Sequence, residues 1–259
     1  MGAFEQSAQE QRGLIAGFMT AVGLLTRIPV GATADPGVPP GSAGWAFPLV
    51  GAGIGAIAAF VFLFVQLIGL ADWAAALLAV LAGVLLTGAL HEDGLADAAD
   101  GLFGGNDRGQ RLAIMRDSRH GTFAVLALIL SISLRAAALA QIGEVMFAGL
   151  ALVAAHAGSR ALLPVAMWIL PPAREDGLGA TSGRPRPVQA IAAVLIAVAI
   201  CATALGPLRG GSALGLAAAT AALAAVISQR RIGGFTGDVL GALQQIGEIV
   251  ILLAAATMR

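Results

Sequence analysis

The run WAAALLAVLAGVLLTGAL (residues 73–90) carries no charge and leads directly into HEDGLADAADG (residues 91–101). In the second stretch, Asp93, Asp97 and Asp100 recur at intervals of four and three residues, which places them on one face of a helix. Three carboxylates at the end of an apolar run repel each other unless cations neutralise them. The pattern therefore predicts a membrane protein with a cation site at the edge of the lipid.

The composition of the whole chain is that of an integral membrane protein. Of its 259 residues, 58% are hydrophobic and 12% are charged, whereas soluble domains carry about 25% charged residues. Only helices and closed barrels satisfy their backbone polar groups in lipid, and long Ala-, Leu- and Val-rich runs without Tyr argue against a barrel. The expected fold class is all-α, a polytopic helical bundle that forms a single membrane domain over residues 1–259.

Seven apolar runs have about the 20 residues that a bilayer core requires, and we predict that each spans the membrane. These runs are residues 46–70, 73–90, 121–142, 145–170, 188–205, 211–228 and 239–256. An eighth run, residues 13–28, is shorter. It could span the bilayer, lie in its interface or re-enter it.

The distribution of arginine predicts the orientation of the chain. Alternation of the seven spans puts the loops of residues 92–120, 171–187 and 229–238 on one side, and these loops hold nine of the 15 basic residues, all of which are arginines. The positive-inside rule makes that side cytoplasmic. Residues 91–120, with the acidic motif, then form a cytoplasmic catalytic loop. The formal net charge of zero gives no general attraction for nucleic acid.

The acidic stretch is the strongest candidate site. Mg²⁺ prefers oxygen ligands and usually binds through a few carboxylates together with substrate phosphates, so we expect Asp93, Asp97 and Asp100 to hold it. Glycines at positions 94, 101, 104 and 105 would let the backbone approach a ligand closely. These features predict a membrane enzyme that acts on a phosphorylated or diphosphate substrate. The alternative is a solvated acidic helix end without a ligand.

A basic stretch at residues 111–122 is a second candidate. Guanidinium groups match phosphate oxygens in pairs, which makes Arg116 and Arg119, beside Ser118, candidate phosphate ligands. These arginines could instead serve only to set the topology. Asp117 could join the metal ligands or cap the next helix.

A third candidate precedes the last span, where Thr236 and Asp238 stand at the expected N-cap in GGFTGD (residues 233–238). A capped loop without a ligand is the alternative. The stretch gains weight because it emerges on the same predicted side as the acidic motif.

Charges inside predicted spans form a fourth group: Arg135, Arg160 and Glu248. A charge at mid-bilayer costs about 2.5–3.5 kcal/mol on insertion scales, and such residues usually face a cavity or a partner. Arg160 and Glu248 are therefore candidate substrate ligands, although they could equally pair with each other. At the start of the acidic stretch, His91 could act as a base or a phosphate donor.

Taken together, these motifs resemble those of one family, the cobalamin synthases, whose members are adenosylcobinamide-GDP ribazoletransferases. The likeness rests on six stretches: TRIP (26–29), FPLVG (47–51), HEDGLADAADG (91–101), MRDSRHGT (115–122), REDGLG (174–179) and TGDVLGA (236–242). Two positions depart from the family pattern. Glu92 replaces an apolar residue and is expected to alter only a solvated edge, and Gln245 replaces a glutamate while Glu248 is retained.

The resemblance implies a Mg²⁺-dependent transferase of the bacterial inner membrane, with its active site facing the cytoplasm. It would join adenosylcobinamide-GDP to α-ribazole, or to the 5′-phosphate of α-ribazole, and release GMP. The sequence leaves open whether the chain forms a homo-oligomer.

In this chemistry each candidate residue has an expected role. Asp93, Asp97 and Asp100 would hold Mg²⁺ on the diphosphate, and Asp100, Asp97 or His91 would take the proton of the attacking hydroxyl. The arginines at 116 and 119 would bind phosphate oxygens. Thr236, Asp238 and Glu248 would close the site from the last helix.

Two other functions are consistent with an acidic motif in a membrane protein. A CDP-alcohol phosphotransferase also clusters aspartates near Asp-Gly on a membrane helix, but its pattern has an arginine that residues 93–98 lack. A cation or solute transporter would use the carboxylates as a transport site. Such sites tend to lie near mid-membrane, whereas these acids follow the end of an apolar run.

Overall fold

The computed structural model describes residues 2–30 and 39–257, and most of these residues lie in helices. The helices are α1 (Gly2–Leu25), α2 (Phe47–Leu67), α3 (Asp72–Thr87), α4 (Leu90–Gly104), α5 (Arg108–Ile114), α6 (Thr122–Ile142), α7 (Val145–Ile169), α8 (Leu178–Thr181), α9 (Pro187–Leu205), α10 (Pro207–Ile232) and α11 (Gly237–Thr257). A 3₁₀ turn, Pro40–Ala46, leads into α2. Within the described residues the β-type pairing is a bridge between Pro172 and Phe235, so the predicted all-α fold is confirmed.

Among the described residues, six helical segments are long and apolar enough to cross a bilayer. They are Pro40–Leu67, Thr122–Ile142, Val145–Ile169, Pro187–Leu205, Pro207–Ile232 and Gly237–Thr257. A seventh crossing exists if α3 and α4 count as one span, although the two helices are bent by 91°. The chain is therefore a multi-pass membrane protein, as predicted. Six of the seven expected spans are present, while the expected span of residues 73–90 is the shorter helix α3, which reaches the length of a span only together with the bent α4. The apolar part of α1, Gly13–Leu25, is shorter than the six spans.

The break between α3 and α4 decides where the acidic motif lies. Gly88 and Ala89 both adopt left-handed backbone angles, with φ values of 65° and 59°. Such a conformation ends a helix, because its amide can satisfy a free carbonyl of the last turn while the chain changes direction. The chain then starts α4 at a steep angle to α3. The expected loop of residues 91–120 is thus largely helical, made of α4 and α5.

Small residues let α2 lie directly against α7. A Cβ atom added at Gly51 would overlap the carbonyl oxygen of His156, and one at Gly55 would lie 2.7 Å from the Cα atom of Val153. Close backbone approach of this kind is how small residues drive helix association in lipid. The contact holds α7, which carries several buried polar residues, at a fixed distance from α2.

We expect Gly51→Ala to lower the melting temperature of the detergent-solubilised protein, because the added methyl group must push α2 away from α7. Overpacking of this kind typically costs about 1–3 kcal/mol. Gly53→Ala is the matched control, since a Cβ atom there meets nothing within 4 Å. Equal melting temperatures for the two variants would contradict the proposed tight contact.

Candidate active site

A cavity of about 340 Å³ opens between α1, α2, α4, α7 and α11. Most of the side chains that line it are apolar: Leu24, Leu25, Pro40, Phe47, Leu90, Leu163, Met167 and Leu240. Its polar lining consists of His91, Asp93, Arg174, Ser182 and Asp238. The cavity thus offers an apolar chamber together with a small set of charged groups, which is the usual character of a small-molecule site.

A glycine contact brings the two acidic residues of the wall together. A Cβ atom on Gly94 of α4 would lie 3.0 Å from the carbonyl oxygen of Asp238 and 3.1 Å from the Cα atom of Gly241. The backbones of α4 and α11 therefore touch at this point. Asp93, next to Gly94, and Asp238 consequently line the same cavity although they are far apart in sequence.

Asp97 follows Asp93 by one turn of α4 and is not itself part of the cavity lining. Its side chain is 19% exposed and lies 4.0 Å from Nδ1 of His120. Burial first, and then the negative charges of Asp93 and Asp238, raise the pKa of Asp97 to about 6. Because α4 is bent by 91° from α3 and is not one of the six apolar spans, Asp97 lies outside them. We call Asp93, Asp97 and Asp238 the acidic cluster.

The acidic cluster does not form a complete metal cage. Among the described residues, no group of three or more His, Cys, Asp or Glu side chains is arranged to hold a metal ion. Mg²⁺ rarely needs such a cage, because it keeps several waters and binds through one or two carboxylates plus substrate phosphates. The donors present, all oxygen and mutually repelling, fit that mode of binding.

Asp100, predicted as a third metal ligand, has a different environment. It is buried, and its Oδ2 accepts a hydrogen bond from the backbone amide of Gly121 at 2.5 Å while its Oδ1 accepts one from that of Ala124 at 3.0 Å. These are free amides at the start of α6, so the carboxylate caps that helix. The expected spacing on one helix face is present, but Asp100 ties α4 to α6 and is absent from the cavity lining.

The basic stretch after α5 lies on the exposed surface. The Nη2 atom of Arg116 lies 2.5 Å from Oδ1 of Asp176, and that of Arg119 lies 2.7 Å from Oδ2 of Asp117. The hydrogen bonds from Arg119 lower the pKa of Asp117 to about 2. Asp117 is therefore engaged by a neighbouring arginine rather than joined to the acidic cluster. Ser118 is exposed and also lies outside the cavity wall.

The residues before the last span form a cap that also faces the cavity. Thr236 Oγ1 accepts a hydrogen bond from the amide of Val239 at 3.2 Å and donates one to Oδ2 of Asp238 at 3.1 Å. The stretch therefore caps the last helix, and through Asp238 it also contributes to the cavity wall.

Arg174 was missed as a site residue by the sequence analysis. Its Nη2 lies 3.5 Å from Oδ2 of Asp238, and its buried Nη1 has no hydrogen-bond partner among the described residues. A guanidinium donor in the cavity wall suits a phosphate oxygen. The only signal for it was its place in REDGLG, one of the six stretches that carry the family likeness.

Arg160 and Glu248, expected as substrate ligands, lie in a buried polar network instead. The Nη1 atom of Arg160 is 3.8 Å from Oε2 of Glu248, and Nδ1 of His156 is 3.2 Å from the same oxygen. Both residues are at most 2% exposed and are absent from the cavity lining. The alternative of internal pairing is thus the arrangement observed. His91 lies between the two regions, since it is buried but lines the cavity.

The fold and the site together define a multi-pass membrane protein with an apolar cavity bordered by carboxylates and an arginine. The family model described as cobalamin-5-phosphate synthase matches residues 17–256. The chain belongs to this family, as the six stretches predicted. Membership sets aside the CDP-alcohol phosphotransferase and transporter interpretations.

Similar proteins share most of the length of this chain. An adenosylcobinamide-GDP ribazoletransferase from Bradyrhizobium diazoefficiens is 45% identical over 251 residues, which cover 96% of each chain. The enzyme of the same name from Azorhizobium caulinodans is 42% identical over 93% of this chain and 95% of the relative. The one from Xanthobacter autotrophicus is 47% identical over 81% of this chain and 82% of the relative. No solved structure matches this chain.

The raised pKa of Asp97 predicts a pH-dependent stability of the metal-free protein. The folded state keeps Asp97 protonated up to a pH of about 6, whereas the unfolded chain titrates near the ordinary value of 3.8. The contribution of Asp97 to stability is therefore fully present below that ordinary value and is lost as the pH rises through about 6. We expect Asp97→Asn to melt at a higher temperature than the parent at pH 7.5 in EDTA, but not at pH 4.

The control for this measurement is Asp72→Asn, because Asp72 is an exposed aspartate at the start of α3, and the whole of that helix separates it from α4. It should not reproduce the pH-dependent difference. Melting curves of Asp97→Asn that track the parent at both pH values would show that Asp97 is not destabilised by its neighbours.

Proposed function

We propose that this chain is an adenosylcobinamide-GDP ribazoletransferase. A ribose hydroxyl of α-ribazole, or of its 5′-phosphate, attacks the cobinamide-bound phosphorus of adenosylcobinamide-GDP. A new P–O bond forms, the P–O–P bridge breaks, and GMP leaves with the bridging oxygen. The observation that carries the proposal is the acidic cluster at a cavity in a chain that belongs to the family over residues 17–256.

The proposed cofactor is Mg²⁺, held by Asp93 and Asp238 at the cavity wall. When bound, it would neutralise the charge of the diphosphate and polarise its oxygens. Support comes from the mutual repulsion of the acidic cluster and from its oxygen-only donors. The incomplete donor set of the protein leaves positions that diphosphate oxygens can fill.

The other residues of the site position the substrate and move a proton. Arg174 donates to a diphosphate oxygen from the cavity wall. Asp97 accepts the proton of the attacking hydroxyl, since burial raises the pKa of its carboxyl group and makes it a better base than an exposed aspartate. Burial, the largest cause of that shift, persists when a cation neutralises its neighbours. Asp100 is less suited because both its oxygens hold backbone amides.

The cavity fits the smaller of the two substrates. Its volume of about 340 Å³ lies at the lower end of the roughly 300–1,000 Å³ range of ligand pockets. The uncharged aromatic base of α-ribazole suits the lining of Leu25, Phe47 and Met167, while its ribose can reach the acidic cluster. The corrinoid ring is several times larger than the base and stays outside the cavity.

The proposed location is the bacterial inner membrane, with the site on the cytoplasmic face. Support comes from the nine arginines on the predicted loops of that side. Adenosylcobinamide-GDP and nucleotide products would then be exchanged with the cytoplasm.

The direct test incubates the purified protein in nanodiscs with adenosylcobinamide-GDP, α-ribazole and Mg²⁺, and measures GMP and the cobalamin product. We expect turnover that EDTA abolishes. Asp93→Asn should lower kcat by about 100-fold, the usual cost of removing one electrostatic group from a reaction centre, while Asp72→Asn should behave like the parent. Turnover that does not require Mg²⁺, or an active Asp93→Asn variant, would overturn the metal assignment.

The placement of α-ribazole predicts a selective effect at the cavity edge. Leu24→Trp puts an indole into the cavity and should raise the KM for α-ribazole about tenfold, a loss of about 1.4 kcal/mol of binding. The KM for adenosylcobinamide-GDP should stay within about twofold, since its ring binds outside. Leu14→Trp is the matched control, because Leu14 is 55% exposed on the same helix. An increase confined to the KM for adenosylcobinamide-GDP would reverse the placement.

A further inference from the structure

A buried ion network joins α4, α6, α7 and α11. Arg135 of α6 uses one atom, Nη1, to contact Oε1 of Glu92 of α4 at 3.1 Å and Oε1 of Glu248 of α11 at 3.0 Å. The other oxygen of Glu248 lies near Arg160 and His156 of α7. Two arginines thus balance two glutamates, and all four residues are buried.

Glu92 is the member of this network that belongs to the acidic helix. Its side chain is 9% exposed, so the expectation of a solvated edge at this position was wrong. Besides Arg135, its Oε1 accepts a hydrogen bond at 3.1 Å from Nε2 of Gln245. Gln245 in turn accepts a hydrogen bond from Ser131 at 2.7 Å, so the amide is held in place from both ends.

The network is poorly arranged as a device for stability alone. Glu92 Oε2, Arg135 Nη2 and Arg160 Nε are buried without hydrogen-bond partners among the described residues. Buried ion pairs are often no more stabilising than apolar residues of the same volume, and unpaired polar atoms add a cost. Such a pair does fix the relative orientation of the helices that carry it, because its contacts require particular atoms at particular distances.

Glu92 precedes Asp93, and the two side chains point in different directions. Successive residues of a helix are rotated by about 100°, and here Glu92 is buried against Arg135 while Asp93 is exposed at the cavity. Holding the carboxylate of Glu92 therefore fixes the rotation of α4 and the direction of Asp93. A shift of about 1 Å in a reacting group can lower a rate about 100-fold.

We propose that Glu92 is a positioning residue for the reaction, which rests on the function proposed above. Its ion pair with Arg135 sets the rotation of α4 and thereby aims Asp93 into the cavity. The two buried arginines need a second carboxylate besides that of Glu248. A glutamate at position 245 can supply this charge, and a glutamine at position 92 can donate to it across the contact that now joins the two side chains, so that α4 keeps its rotation.

The test compares Glu92→Gln with the double variant Glu92→Gln/Gln245→Glu, which restores the charge one hydrogen bond away. We expect Glu92→Gln to lower kcat at least about tenfold and to raise the Mg²⁺ concentration needed for half-maximal activity. The double variant should return to within about threefold of the parent. Asp72→Asn is the control for a lost carboxylate, since Asp72 lies at the start of α3 and is exposed.

A second readout does not depend on activity. Asp93→Cys in each background reports the direction of position 93 through its rate of reaction with a membrane-impermeant maleimide, because the native Cys201 is buried and unreactive by comparison. We expect Glu92→Gln to change this rate at least threefold, about the smallest shift such an assay resolves, and the double variant to restore it.

The outcomes separate the two proposals. A parent without turnover would refute the proposed function, while the labelling rates would still decide whether Glu92 sets the direction of position 93. Kinetics and labelling rates in Glu92→Gln that match the parent would overturn the positioning role. A folded double variant that stays as impaired as Glu92→Gln would also overturn it.

Discussion

Arg135 is held between two carboxylates from different helices, and the arrangement around the site depends on this contact. A charge inside a bilayer protein is costly unless a partner neutralises it, so α4, α6 and α11 must approach closely enough for Glu92 and Glu248 to reach one guanidinium. The glycine contact between α4 and α11 makes that approach sterically feasible. Charge and packing thus restrict the same three helices to one arrangement.

The broken span turns this arrangement into a site. Because Gly88 and Ala89 end α3 with left-handed angles, the polar helix α4 leaves the direction of the span and crosses α11. One side of α4 then carries buried Glu92 and the other carries Asp93 at the cavity. A substrate with an apolar base and an anionic diphosphate needs such a boundary, where an apolar chamber and a charged wall meet.

Only some of the site residues were predicted correctly, because the spacing of residues along the sequence shows which of them share a helix face and nothing more. Asp93 and Asp238 were expected and do line the cavity. Asp100 shares the predicted helix face with Asp93, but its carboxylate accepts hydrogen bonds from free backbone amides at the start of α6. Asp117 forms an ion pair with Arg119, two residues away. Helical spacing identifies a common face, whereas competing partners from other helices cannot be read from it, and for the same reason Arg174 was overlooked.

By itself the sequence determined that the chain is a helical membrane protein, where most spans lie and which family it belongs to. Lipid offers no hydrogen-bond partners, so each span must satisfy its own backbone, and a local run of apolar residues suffices to reveal it. Only the tertiary structure decided that one span is bent by 91°, that Glu92 is buried beside Arg135, and which carboxylates share a cavity. The bend depends on a left-handed backbone at Ala89, a conformation that an alanine does not predict. The other two features depend on contacts between residues more than 40 positions apart, and hydropathy and spacing carry no information about such partners.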